Sequence, residues 1–250
     1  MPFTFEPLPI AVAALTFLLA GFVKGVIGLG LPTVAMGLLG AVMEPAQAAS
    51  LLIVPSLVTN VWQLATGPRF GVLARRLWLM MVGVVVGTLA GTGFMQGGHA
   101  EQAATALGVA LVAYAVLGLT AIRFAVPPRA EWWLGPVIGV VTGLVTAATG
   151  VFVIPAVPYL GALGLTKDEL IQALGLSFTV STVALAAALA GGGTFEAGTA
   201  GASALALAPA LIGMTMGGWV RGRVSEQMFR RCFFLGLLAL GAHLASRTLI

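Results

Sequence analysis

Runs of about twenty apolar residues, the length of a bilayer-crossing helix, recur along the chain, separated by short segments holding most of the arginines. Six runs fit that length: residues 46–66, 73–95, 102–123, 169–190, 200–220 and 231–248. Two others, 8–43 and 132–165, are too long for one helix and are interrupted near their middles. The first breaks at Gly28-Leu29-Gly30-Leu31-Pro32, the second at Gly150-Val151-Phe152-Val153-Ile154-Pro155. Proline removes a backbone donor and glycine weakens a helix, so both regions are predicted to be discontinuous. The pattern predicts an all-α polytopic membrane protein.

The halves echo each other. Gly21-Phe22-Val23-Lys24 to Gly28 aligns with Gly143-Leu144-Val145-Thr146 to Gly150, and Pro32 falls near Pro155. Gln47-Ala48 matches Gln172-Ala173, and Gly87 with Gly91 matches Gly213 with Gly217, at offsets of 122 to 126 residues. Residues 1–126 and 127–250 therefore read as two copies of one unit, a broken helix pair followed by three spans. Charge decides how each break is threaded, because cytoplasmic loops concentrate Lys and Arg. If each broken region crosses once, the flanking cations divide six against five. If each returns to its own side, Arg69, Arg75, Arg76, Arg123, Arg129, Lys167, Arg221, Arg223, Arg230 and Arg231 share the inside and only Arg247 is outside. The second threading makes the units inverted repeats with both termini outside, a recurring transporter design. Its difficulty is arm length, since residues 33–43 make only about half a span at 1.5 Å per residue.

Composition agrees. Hydrophobic residues make up 59% of the chain and charged ones 8%, with a mean hydropathy of +1.06. Soluble domains carry roughly 25% charged residues, so this surface must face lipid. The net charge of +4 sits in short loops and is no nucleic-acid signal. Met1 to Pro7 lack the positive charge of a signal peptide, so the first apolar segment is expected to stay, and the protein to sit in the inner (cytoplasmic) membrane. Cys232 is the single cysteine and can form no internal disulfide.

Non-helical backbone inside a bilayer survives only against protein or a wet cavity. A half-helix starting after such a break presents free N–H groups and a positive dipole end, an anion site without a charged side chain. Half-helices are expected near Pro32-Thr33 and Pro155-Ala156, which makes Gly28, Gly30, Pro32, Thr33, Thr149, Gly150 and Pro155 candidate substrate-binding residues. The competing reading is a pair of packing kinks. Lys24 is the one charged residue well inside an apolar segment; it either serves the anion site or snorkels toward the surface. Ser56, Thr59, Asn60 and Gln63 share one helical face, and Ser177, Ser181 and Thr182 form a similar stripe in the second half. Such faces turn inward, toward a pathway or another helix. Gln47 and Gln172 are expected nearer the membrane edges. The glycine series 83-87-91, 135-139-143 and 213-217 suit close helix packing. His99 and His243 lack companions for a metal site, no nucleophile–base pair appears, and the first break follows no strand, so no metal, cofactor or enzymatic chemistry is expected.

At Gly21 to Pro32, with the echo from Gly143 to Pro158, the chain resembles the TauE/SafE family of membrane transporters. That resemblance spans essentially the whole length and implies export of sulfite, a sulfonate or a related sulfur oxyanion or organic acid. The expected function is secondary transport of such an anion, bound between the two discontinuous helices, with the bilayer as its other partner. An anion channel, or a scaffold or assembly subunit without transport, would fit the same spans, and assembly into a homo-oligomer stays open. Membrane-impermeant reagents are expected to label positions 75 and 223 from the same side; labelling from opposite sides would overturn the returning-hairpin topology.

Overall fold

The computed structural model describes residues 7–95, 99–120 and 125–246. Met1–Glu6, Arg123 and Arg247 lie outside the described residues. The elements are α1 (Pro7–Ile27), α2 (Leu31–Gly40), α3 (Pro45–Ala65), α4 (Phe70–Ala90), α5 (Ala100–Thr120), a 3₁₀ turn (Pro128–Ala130), α6 (Glu131–Thr149), α7 (Ala156–Gly161), α8 (Lys167–Gly191), α9 (Ala197–Arg221) and α10 (Glu226–Ser246). Among the described residues there is no strand, and seven helical segments are long and apolar enough to cross a membrane. The protein is an all-α polytopic membrane protein.

The expected spans correspond to α3, α4, α5, α8, α9 and α10, and the two broken regions to the pairs α1–α2 and α6–α7. Two details refine this. Arg75 and Arg76 lie in the first two turns of α4, inside the expected run, and α10 starts early enough to take in Arg230 as well as Arg231. Arginine is a good helix former whose long stem keeps its charge at the interface, so spans extend through it. The short arms are also unequal: α2 has 10 residues and α7 only 6.

Arg76 shows how the second pair closes. Its guanidinium donates to both carboxylate oxygens of Glu131, at the start of α6, and to the Leu163 carbonyl just after α7, at 2.7–3.1 Å. The Val126 N–H reaches the Ala162 carbonyl nearby at 3.0 Å. The α6–α7 hairpin therefore starts and finishes at one end of the bundle. Nineteen helical residues descend about 28 Å. Non-helical residues 150–155 supply the length that six-residue α7 lacks, because a chain outside a helix advances up to about 3.3 Å per residue. Arg69, Arg75, Arg76, Arg129 and Lys167 mark this as the basic end, where Arg69 also pairs with Glu169 at 3.2 Å.

Close backbone packing aligns the remaining helices. In lipid there is no hydrophobic drive to associate, so small residues that let backbones touch carry the packing. Cβ atoms on Gly21 and Gly25 would lie 2.0 and 2.3 Å from the Ala210 and Met214 carbonyl oxygens, so α1 runs parallel to α9. On Gly139 and Gly143 they would lie 2.1 and 2.3 Å from the Met80 and Val84 oxygens, so α6 runs parallel to α4. α5 and α10 pair antiparallel, Gly108 against Ala245 and Gly118 against Phe234. α3 and α8 cross at the centre, with 61% and 67% of their apolar windows buried, against 28% and 22% for the peripheral α9 and α10. α1 therefore descends toward the basic end and α2 climbs back, Gly40 reaching Leu107 early in α5.

Gly217→Ala would drive a methyl to 2.1 Å from the Phe22 oxygen, whereas Gly201, in the same helix, has nothing within 4 Å. Ala at 217 is expected to destabilise the detergent-purified protein by about 1–3 kcal/mol, and Ala at 201 to leave its melting temperature unchanged; equal melting curves would contradict the packing scheme.

Candidate functional site

Lys24 lies one turn before the end of α1, 4% exposed, and its carbonyl closes the helix by accepting from Gly28 N–H at 2.8 Å. Gly28 (φ 80°) and Gly30 (φ 104°) then turn the chain into α2 through left-handed conformations that other residues resist. The Lys24 ammonium does not snorkel. It donates to Thr59 Oγ1 at 3.0 Å and to Asn60 Oδ1, both on α3. The Thr59 hydroxyl proton goes to the Pro55 carbonyl at 2.7 Å, which leaves an oxygen lone pair free for the lysine. The Asn60 amide nitrogen faces Ser56 Oγ at 3.4 Å and Thr182 Oγ1 at 3.5 Å, the latter near the middle of α8. The cation therefore sits buried among neutral acceptors, one turn from the end of α1 that faces the basic end. Among the described residues, the ion pairs are Arg69–Glu169 and Arg76–Glu131, both at the basic end, and neither involves Lys24.

The second break reaches the same level. Phe152 packs on Phe178, one turn from Thr182, with ring centroids 5.2 Å apart. A Cβ on Gly150 (φ 69°) would lie 2.7 Å from Met36 Cε, so this tip abuts the first turns of α2. Thr149 Oγ1 accepts from Val151 N–H at 3.1 Å and steadies the chain as α6 ends. Pro155 stands just before α7, which has no turn to spare. Thr146, the counterpart of Lys24, is satisfied within its own helix by the Thr142 carbonyl at 2.7 Å. The cation is not duplicated.

Several sequence-predicted residues carry unanswered polarity here. Thr33, with Pro32 in the first turn of α2, and Ser177 and Ser181, beside Phe178 and Thr182, are wholly buried, and their hydroxyl oxygens have no hydrogen-bond partner. Leaving such a group unpaired costs about 1–3 kcal/mol. Gln63, one turn further along α3, likewise has a buried side-chain oxygen without a partner. Its amide donates to the Ile171 carbonyl at 2.9 Å, while Gln172 donates to the Leu64 carbonyl and accepts from Arg69 N–H. The two glutamines clasp α3 and α8 toward the basic end, below the cluster. The open cleft of about 260 Å³ between Arg76, Trp78, Glu131, Trp132 and Tyr159 also lies at that end and contains none of the candidate residues.

Ser203 is the residue that sequence reasoning missed. Pro55 has no N–H, so the Leu51 carbonyl one turn earlier loses its helical partner. Ser203, reaching across from α9 and wholly buried, donates to that carbonyl at 2.8 Å and accepts from Val54 N–H at 3.0 Å. It splices the break in α3 immediately before Ser56, Thr59 and Asn60. A proline inside an expected span was the available signal, but nothing local says which helix answers it.

The family model described as Sulfite exporter TauE/SafE matches residues 13–244 of the chain. Neither a curated protein nor a solved structure matches it.

Ser203→Ala should strand the Leu51 carbonyl and lower stability by about 1–3 kcal/mol. Restoring the α3 amide with Pro55→Ala should relieve much of that loss. A double-mutant cycle read by thermal melting checks it; strictly additive effects would dissolve the splice.

Proposed function

The chain belongs to the sulfite exporter TauE/SafE family, and from that premise we propose that this membrane transporter carries a small oxyanion, such as sulfite or a sulfonate, through the buried cluster around Lys24. The single observation that supports the reading is the Lys24 ammonium, buried and, among the described residues, hydrogen-bonded to the neutral acceptors Thr59 and Asn60 with no carboxylate partner. A buried cation without a carboxylate is strongly disfavoured, and a bound anion supplies the missing charge. Thr33, Ser177 and Ser181 hold hydroxyl protons with no protein acceptor, and the first turn of α2 adds free N–H groups and a positive dipole end. Oxyanions accept several hydrogen bonds at once, which suits that donor set.

The cluster is occluded, so loading requires movement. We read the two hairpins and their following spans as inverted repeats, residues 1–126 and 127–250, rocking about the central α3–α8 crossing. With the basic end in the cytoplasm, both termini fall outside the inner membrane. No Asp or Glu lies deep in the apolar segments to relay protons. An anion leaving a negative cytoplasm gains about 2.3 kcal/mol per charge per 100 mV, so export proceeds without a coupling ion.

Proteoliposomes loaded with sulfite should empty faster under an inside-negative potential. Lys24→Gln and Lys24→Ala should weaken transport about 10- to 100-fold, the value of a charge-assisted hydrogen bond, with size-exclusion profiles unchanged. Wild-type flux in folded Lys24 variants would remove the lysine from the site.

A further inference from the structure

The cleft at the basic end lies apart from the candidate transport residues, and its two walls differ in chemistry. It opens between the exposed indoles of Trp78 on α4 and Trp132 on α6, side chains suited to the boundary between hydrocarbon and headgroups. Leu79 and Met80 extend one wall along α4, away from the basic end and into the apolar part of the span. The other wall carries Arg76, Glu131 and Tyr159. Gly135 keeps the two apart: a Cβ there would lie 3.3 Å from Tyr159 Oη, so the hydroxyl rests close against α6. Among the described residues that hydroxyl has no hydrogen-bond partner. Arg76 uses Nε and Nη2 on Glu131 and the Leu163 carbonyl, and among the described residues its Nη1 is left without a partner.

We propose that this cleft binds one anionic phospholipid, its phosphate taken by Arg76 and the Tyr159 hydroxyl and an acyl chain lying along Leu79 and Met80. A ligand for these walls must be polar at one end and apolar at the other, and a soluble anion would leave the apolar wall uncovered. Charge selects the headgroup. The segments around the cleft hold Arg69, Arg75, Arg76, Arg129 and Lys167 against Glu131, Asp168 and Glu169, an excess of positive charge. Basic pockets between spanning helices attract anionic headgroups, whereas a zwitterionic headgroup brings a cation that this excess repels. Arg76 also closes the α6–α7 hairpin, so a lipid held there ties α4, α6 and α7 together and stabilises the folded protein by binding it.

The test titrates delipidated, detergent-purified protein with phosphatidylglycerol or with phosphatidylcholine of the same acyl chains. Thermal melting reads the stabilisation, and native mass spectrometry counts the lipids retained. One phosphatidylglycerol is expected to stay bound, about fivefold or more tighter than phosphatidylcholine, and to raise the melting temperature. Arg76→Gln should erase the preference, and Tyr159→Phe, which leaves the hairpin closure intact, should weaken binding about tenfold. Arg75→Gln, next along α4 but outside the cleft, should leave binding unchanged. If Arg75→Gln costs as much as Tyr159→Phe, the attraction is diffuse and the site is overturned. Equal binding of the two lipids overturns it too, as does equal stabilisation by glycerol 1-phosphate, which would make the ligand a soluble anion.

Discussion

Everything at the centre of this molecule depends on an uncompensated positive charge held away from water. A buried lysine ammonium is tolerable only because Thr59 and Asn60 present oxygens to it, and they stand on a helix whose proline gap is spliced by Ser203 immediately upstream. Remove the splice and the acceptors lose register; remove the acceptors and the cation must reach for the surface. The glycine faces of α1 and α9 belong to the same chain of causes, since they fix the depth at which Lys24 enters the bundle.

Lipid imposes the rest. No water is present in the hydrocarbon layer to repair a backbone break, so each interruption finds its answer in protein. Ser203 answers Pro55, Thr149 answers Val151, and Arg221 answers the last carbonyls of α1. Among the described residues the buried hydroxyls that remain unanswered are Thr33, at the first break, Ser177 and Ser181, on α8, and Thr88, on α4.

The ends of the bundle are built on a different logic. The Gln63–Gln172 clasp, the Arg69–Glu169 pair and the Arg76–Glu131–Leu163 bridge tie helices together at the basic end. The two ion pairs are polar and partly exposed, the kind of contact that breaks and reforms at modest cost, whereas the glutamine clasp is buried. A carrier that rocks about α3 and α8 must release such contacts, whereas the glycine-packed helix pairs can move as rigid units.

The sequence by itself determined that the chain lives in a membrane, where the spans fall, and that residues 28–32 and 150–155 interrupt helices, because apolar length and the backbone chemistry of glycine and proline are local properties. It also singled out Lys24, since one charge in an apolar run is visible without coordinates. Only the tertiary structure decided what that charge touches, that the Gln63 amide clasps α8, and that Ser203 completes α3. Those contacts join residues more than a hundred positions apart, or in Lys24's case on different helices, and their partners are chosen by how helices cross, a property of the packed bundle that no local pattern encodes.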